Sequence, residues 1–540
     1  MTGAGQDRSS LLAEAVTFGR YARRLPRFIR DVVTPAAARA RISAQLRRRE
    51  QNFLRMVRDG VYGNPGSPYQ ALLAAAGVEA GDIERMVGDH GVEGTLSRLR
   101  DAGVYVTIDE FKGNRPIERP GVSVAAGAQR FDNPLATVHF RGATGGSRTR
   151  ARRVPIDLDL LEHDVAYHSL FLDAFVLRGR PFAAWRVIPP SASGVNNCFR
   201  QLKSGQAVDR WFNPHRPGLD AESVKFAFFT LFTVATARAS GRRMPFPEMC
   251  GSGEAARVAR WLADRRAAGR PAVLDTQGSL GVRVCAAAID EGIDIAGSFL
   301  RLGGEPFTPA KERVIRRAGC EAVSHYTMAE TGRIGIACAE PDRCDDHHFL
   351  SDKLAVLQRE TPVGGDGATV GAFIYTSLLP SAPKLLLNVE SGDYGRLVER
   401  SCGCPFGQLG MTTHMSEVQS YEKLTAEGNT FLGGDLIELV ESVLPSRFGG
   451  GPSDYQLVEE EVGGVPRVSV VVRPGVGAVD EATVVDAVLS HLRSVQRNRL
   501  MTEVWREAGT LRVVRREPIA RGPAQKILPL LVVSGEGAPV

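Results

Sequence analysis

The chain has 540 residues, 43% of them hydrophobic, and a formal net charge of +6. That length supports a large core plus at least one further unit, and so small a charge on so long a chain speaks against nucleic-acid binding. No run reaches the about 18 apolar residues that a membrane span needs. Eight cysteines in a sequence with no leader pattern predict a reducing, cytoplasmic setting in which thiols serve metal binding or core packing.

Residues 1–63 read as a basic helical extension. Leu11, Leu12, Phe18, Tyr21, Leu25, Phe28 and Ile29 recur near a helical period, and Arg20, Arg23, Arg24, Arg27 and Arg30 lie among them. Such a face is either simply solvated or suited to an acidic partner or an anionic membrane surface. Asn64-Pro65-Gly66-Ser67-Pro68 then breaks the chain. From residue 64 to 418, β-like runs (182–188, 272–275, 372–376) alternate with helical stretches (255–267, 310–318), which predicts a large α/β unit of sheets covered by helices. Phe226 to Ala237 reads as a buried helix, too short to span a membrane. Residues 419–540 change texture, with strand runs at 455–459, 467–472 and 510–514 and a helix at 481–495. This part reads as a small C-terminal α+β lid.

Within the large unit, Phe140-Arg141-Gly142-Ala143-Thr144-Gly145-Gly146-Ser147-Arg148 sets small and hydroxyl residues between an apolar run and arginines. Small residues let backbone N–H groups converge on an anion, and a guanidinium adds a forked donor. It is not a Walker A loop, because no Gly-Lys-Ser/Thr closes it. A plain turn has the same composition. Downstream come Gly303-Gly304-Glu305-Pro306, then Ser324-His325-Tyr326-Thr327-Met328-Ala329-Glu330-Thr331-Gly332, then Ser391-Gly392-Asp393-Tyr394-Gly395-Arg396, and last Ala520-Arg521-Gly522-Pro523-Ala524-Gln525-Lys526. Taken singly, Asp393 is a good turn residue, Glu330 a surface acid and Lys526 a solvated tail lysine.

Their order and spacing from about Ser67 to Leu530 resemble the adenylate-forming acyl/aryl-CoA ligase superfamily, in its phenylacetate–CoA ligase-like and acyl-protein synthetase-like branch. The resemblance implies an AMP-forming acid–thiol ligase: a carboxylic acid, aryl or fatty, attacks the α-phosphorus of ATP, and a thiol of coenzyme A or a carrier protein then displaces AMP. It implies that Gly142, Thr144, Gly145, Gly146, Ser147 and Arg148 hold phosphates and that Glu330 holds Mg²⁺. It further implies that Gly304, Glu305, Pro306, His325 and Tyr326 line the adenine slot, that Asp393 binds the ribose hydroxyls, and that Lys526 bridges carboxylate and α-phosphate. Fixed positive charge aimed at the developing phosphate charge is what such a reaction needs. The sequence departs from the pattern where Arg141 takes a serine place, Arg148 a lysine place and Ala329 a hydroxyl place. The hinge arginine is absent from Gln419-Ser420-Tyr421-Glu422-Lys423 before Gly428. Transfer to an amine, a protein side chain or a partner enzyme, or a nucleotide-binding scaffold with a decayed site, are the alternatives. Partners would be the small acid, an acyl carrier protein or other acidic protein, and a second copy in a homodimer.

Cys402-Gly403-Cys404, with Cys338, Cys344, His347 and His348 upstream, suits a closed tetrahedral zinc site. Spacing and resemblance together favour Cys338, His348, Cys402 and Cys404, with Cys344 or His347 as substitutes; buried unliganded thiols are the other reading. Trp185, Phe199, Trp211, Phe228 and Phe229 are candidate walls of the acid pocket, although aromatic residues also simply fill cores.

Overall fold

The computed structural model describes residues 3–143, 153–216, 218, 221–363, 369–421, 424–426, 429–431, 433–462, 465–494, 511–522 and 524–533. A twelve-stranded mixed sheet organises the large unit. Its strands are β1 (Phe182–Trp185), β2 (Arg210–Asn213), β3 (Glu248–Met249), β4 (Val273–Thr276), β5 (Phe299–Gly303), β6 (Glu321–Met328), β7 (Gly332–Ala337), β8 (His347–Phe349), β9 (Leu354–Pro362), β10 (Thr369–Ser377), β11 (Val389–Glu399) and β12 (Thr413–Ser420). The spatial order is β9-β10-β11-β12-β8-β7-β6-β5-β4-β1-β2-β3. Strands β3 to β6 along that order run parallel, and from β6 to β9 every pairing is antiparallel. The fold is therefore the α/β class expected, and β6 is its seam: residues 321–325 pair with β5 in parallel and 326–328 pair with β7 antiparallel.

The two-residue period of the parallel strands sorts side chains onto two faces. Phe182, Ala184, Val273 and Phe299 enter one core with helices α1 (Gly3–Arg30), α2 (Pro35–Arg47), α3 (Leu158–Ala174), α4 (Ser193–Lys203) and α5 (Ala221–Ala239). Ala183, Trp185, Leu274, Leu300 and Leu302 enter the opposite core with α6 (Ala255–Ala267) and α7 (Gly278–Asp290). A third core joins residues 53–131 to the antiparallel half. Parallel strands covered on both faces are expected to be nearly all apolar, so charged residues standing within these strands call for partners.

The basic extension packs into the large unit. Tyr21, Leu25, Phe28 and Ile29 are buried in the α3/α4 core. Tyr21 Oη meets Thr233 Oγ1 at 2.8 Å, and its ring stacks on Phe229. The fully buried Lys203 ammonium donates to Phe28 O and Asp31 O, at 2.6 and 2.9 Å, which fixes the end of α1. Arg20, Arg23, Arg27 and Arg30 stay on the exposed side.

The small C-terminal unit is a four-stranded sheet of β13 (Tyr455–Val462), β14 (Val465–Val472), β15 (Leu511–Arg515) and β16 (Leu530–Val533), in the order β15-β14-β13-β16, under helix α8 (Glu481–Ser494). Its core runs from Leu436 to Leu530 and has no member from the large unit. Residues 413–420 belong to the large sheet, and Tyr421 is buried against Val363 and Ala372. Among the described residues, no helix is long and apolar enough to cross a membrane.

One ion-pair set ties three parallel strands together. Asp275 accepts from Arg186 Nε and Nη2, at 3.0 and 3.1 Å, and from Arg301 Nε at 3.0 Å, all three residues being buried. Asp275→Asn leaves two buried guanidinium groups short of a counter-charge. We expect it to lower the stability of the large unit by about 3–5 kcal/mol, read as an earlier urea transition.

Candidate functional site

Strand β6 changes partner at Tyr326, and the residues around that change face the end of β5. Tyr326 Oη donates to Asp393 Oδ2 at 2.6 Å, joining β6 to β11. Burial, and then the neighbouring carboxylate, hold the Tyr326 hydroxyl well above its ordinary pKa, so it remains a donor. His325 is buried; its Nδ1 accepts from Ala337 N at 3.3 Å, and its Nε2 has no partner. Burial, and then the nearby Arg333 and Arg301, keep this imidazole neutral.

After β5 the chain turns at Gly304, whose φ of +84° lies in the left-handed region that glycine adopts without strain. A Cβ there would stand 3.8 Å from Lys526 Nζ, so the small unit's lysine reaches this turn. Lys526 sits in a short pairing, Ala520–Arg521 with Lys526–Ile527. Ser252 and Gln525 add a bond of 3.3 Å between the units, and Lys311 pairs with Glu441 at 2.8 Å. Glu305 is occupied by its own fold: its carboxylate accepts from Ser279 N at 2.6 Å and Ser279 Oγ at 2.9 Å, capping the start of α7. Pro306 offers its carbonyl to Lys311 Nζ at 2.9 Å.

Glu330 is half-buried in the turn between β6 and β7. Gly142 lies in a short hairpin of 140–143 with 153–156. Thr144, Gly145, Gly146, Ser147 and Arg148 lie outside the described residues, as do Glu422, Lys423 and Gly428 of the hinge reading. The geometry thus joins Tyr326 to Asp393, and Gly304 to Lys526. The proposed pocket aromatics do not share one wall. Trp185 is buried in the α6/α7 core and Phe199 and Trp211 in the α3/α4 core, whereas Phe228 is 60% exposed on α5.

Sequence reasoning missed a chain of buried charge on the α3/α4 face. It starts at Gly303 O, 3.5 Å from Arg186 Nη1, and passes through Asp275 to Arg301. Arg301 Nη1 donates to His168 Nδ1 at 2.8 Å, and Arg301 Nη2 donates to Asn197 Oδ1 at 3.2 Å. Asn197 Oδ1 also accepts from Arg200 Nη1 at 3.0 Å; Arg200 Nη2 donates to Asp164 at 2.6 Å, and Asp164 meets Lys353 Nζ at 3.3 Å. Next in sequence, Asp352 accepts from Tyr167 Oη at 2.7 Å. Burial would push the Asp164 carboxyl up, but Lys353, Arg200 and Arg333 prevail and hold it at about 2. For Asp352 burial prevails, and its carboxyl rises to about 6. The available signal was a single arginine inside each apolar strand context, as in Trp185-Arg186-Val187, Leu300-Arg301-Leu302 and Gly332-Arg333-Ile334.

A second cluster gathers thiols and imidazoles at the ends of β7, β8 and β12. Cys338, His348, Cys402 and His414 bring ligand atoms within 4.8 Å of one another. Cys404 Sγ is 3.0 Å from His348 Nε2, and Cys402 Sγ is 3.5 Å from the same nitrogen. His348 Nδ1 is anchored by Met411 O at 2.8 Å and His414 Nδ1 by Asp346 at 2.7 Å, while His414 Nε2 is buried without a partner. A hydrogen bond to one ring nitrogen fixes the tautomer and the ring orientation, so that the other nitrogen can face a metal. Gly407 permits the tight Cys402–Cys404 turn, since a Cβ there would lie 2.4 Å from Cys402 O. Of the expected set, Cys338, His348 and Cys402 lie together with His414, which the sequence reading did not name, and Cys404 adjoins His348. Cys344 and His347 are elsewhere: Cys344 Sγ faces Phe307 O, and His347 Nε2 bonds Ser324 Oγ at 3.0 Å.

No protein-family model matches the chain, and no curated protein matches it. Among solved structures it is similar to 2-hydroxyisobutyryl-CoA ligase in the postadenylation state with 2-HIB-AMP. The identity is 15%, with 94% of this chain and 91% of that chain covered and a TM-score of 0.49. It is also similar to ATP-bound MatB from Rhodopseudomonas palustris (12% identity, 80% and 71% covered, TM-score 0.43). A third is the O-succinylbenzoate coenzyme A synthetase of Bacillus subtilis with ATP and magnesium (12% identity, 73% and 70% covered, TM-score 0.41).

The raised Asp352 carboxyl makes a pH prediction. Its folded pKa of about 6 exceeds the ordinary carboxylate value, so folding takes up a proton between pH about 4 and 6. This group's contribution therefore improves as pH falls from 6 to 4 and is lost as pH rises through 6. Asp352→Asn should flatten that part of the stability profile relative to the parent protein, measured by urea unfolding across the interval.

Proposed function

We propose that the chain activates a carboxylic acid with ATP and passes the acyl group to a thiol, of coenzyme A or of a carrier protein. The observation that carries this reading is the approach of Lys526 from the small unit to the Gly304 turn, beside the Tyr326–Asp393 pair. A carboxylate oxygen attacks the α-phosphorus as the α–β phosphoanhydride bond breaks, releasing pyrophosphate. A thiolate then attacks the acyl carbon, the bond to AMP breaks, and the thiol proton goes to solvent. Lys526 neutralises charge shared by carboxylate and α-phosphate, where fixed positive charge lowers the barrier most. Asp393 accepts the ribose hydroxyls, and Tyr326 holds that carboxylate in place while presenting its ring to the adenine. Gly304, Glu305 and Pro306 border the base, with Glu305 acting through its cap on α7. Gly142 and the loop 144–148 take the outer phosphates. Glu330 is the residue for Mg²⁺, which would supply charge neutralisation on phosphate oxygens.

The buried aromatic residues give no support to an aryl or fatty acid over other acids, and coenzyme A and a carrier thiol stay equivalent. An acidic carrier would find its complement in the exposed arginines of α1. The thiol–imidazole cluster suits a structural zinc ion: Cys338, Cys402 and His348 with either Cys404 or His414 would fill a tetrahedral shell and leave no open position for substrate.

Two measurements test the reading. Pyrophosphate release should require both ATP and an acid, and Lys526→Ala should lower it by about 10²–10³-fold or more with the circular dichroism spectrum unchanged. Absence of acid-dependent release in the folded parent protein would refute adenylation. Metal analysis should find about one zinc per chain, and chelation should lower the melting temperature. Comparing Cys404→Ser with His414→Ala identifies the fourth ligand by which variant loses the metal.

A further inference from the structure

The buried chain of charge does not balance. Arg186, Arg200, Arg301, Arg333 and Lys353 are five buried cations, whereas Asp164, Asp275 and Asp352 are three buried carboxylates, so two positive charges are in excess. Guanidinium groups stay protonated in proteins, and an uncompensated charge in a low-dielectric interior is strongly unfavourable. The excess concentrates at Arg333. Its side chain is 1% exposed, and among the described residues its Nε and Nη1 have no acceptor; Arg200 and Arg301 act on it, and the carboxylates that do so, Asp164 and Asp275, are already bonded to Arg200 and Lys353 and to Arg186 and Arg301. Arg200 Nε and His325 Nε2 are also buried without partners. Burial, followed by the repulsion of Arg200, outweighs the attraction of Asp164 and lowers the Arg333 guanidinium to about 9.

Position gives this excess a meaning. Arg333 pairs in register with Thr327, three residues before Glu330. Arg186 Nη2 lies 3.7 Å from where a Cβ of Gly303 would stand, and Lys526 Nζ lies 3.8 Å from the corresponding point of Gly304. The cationic chain thus begins at the same two-glycine turn that Lys526 approaches.

We propose that the acid activated here carries a second anionic group, a carboxylate or an isosteric sulfonate or phosphate at its far end, which Arg333, Arg200 and His325 receive. This rests on the adenylation reading above and narrows its substrate. Arg333 and Arg200 offer charge-assisted donors that a plain alkyl or aryl end would leave unpaired, so the site selects against such acids. Asp164 and Lys353 position Arg200 from behind.

The test compares acids matched in length, such as hexanoate with adipate and benzoate with terephthalate. In acid-dependent pyrophosphate release the diacid should exceed its monoacid in kcat/KM by on the order of 10²-fold or more. Arg333→Met should collapse that ratio at least about tenfold, a change of selectivity that a purely structural role would not produce. A second readout needs neither turnover nor the variant: without ATP, the diacid but not the monoacid should raise the melting temperature of the parent protein and of Lys526→Ala, at matched ionic strength. Release running equally well with monoacids overturns the inference and leaves the ligase reading standing. No release with any acid, alongside diacid stabilisation of both proteins, keeps the anion site and overturns the ligase reading. No diacid-specific shift and no diacid preference overturns the site itself.

Discussion

The shared carboxylate of Asp275 is the constraint from which the interior of the large unit follows. It stands mid-sheet on β4, opposite Arg301 of β5 in register, and it also takes the guanidinium that follows β1. A buried pair of this kind adds little net stability over a packed apolar group, yet it is intolerant of losing a partner. Its presence in a doubly covered parallel sheet therefore marks a place where polarity is retained despite its cost. On the α3/α4 face His168, Asn197, Arg200, Asp164 and Lys353 are all reached from that carboxylate through Arg301 by consecutive hydrogen bonds.

Strand β6 converts this internal network into a surface site. Its first residues extend the parallel sheet and its last ones begin the antiparallel half, so the strand ends where two sheet geometries diverge. Crevices at the carboxyl ends of parallel strands, where the winding changes, are the usual ligand positions in open α/β sheets. Tyr326 spans this divergence to reach Asp393, and one residue earlier the His325 ring turns inward toward the arginines. Neighbouring residues of one strand thus serve the outer and inner walls, which the alternation of side chains along a strand makes unavoidable.

Much of this was legible from the chain. The strands at 182–185, 273–276, 369–377 and 511–515 and the helices at 255–267, 309–317 and 481–494 lie where β-like runs and helical periodicity placed them. Cys402 and Cys404 drew notice because Cys-x-Cys spacing is local and rare, and Cys338 and His348 were named beside them on spacing and resemblance together. His414 was not, since a lone histidine within Thr413–Ser420 is indistinguishable in sequence from a core residue until the β8–β12 pairing sets it beside His348. Pocket aromatics failed for a related reason: residues of one type close in sequence, Trp185 and Phe199, are sent to opposite faces by the strand period and by a crossover. The buried arginines carried a signal in their apolar surroundings, but their mutual contacts depend on register among β1, β4 and β5, which no local pattern encodes.

The buried network and the small unit meet at the Gly303–Gly304 turn. On one side stands Arg186, already committed to Asp275 and to Thr276 O, and on the other Lys526, carried by a separate folding unit. Two cations converging on one turn repel each other, and the effect grows as water is excluded. An anion at this turn would meet positive charge from both units. Glycine at 304 is what allows it, because the left-handed backbone there and the absence of a side chain let the lysine approach the main chain itself.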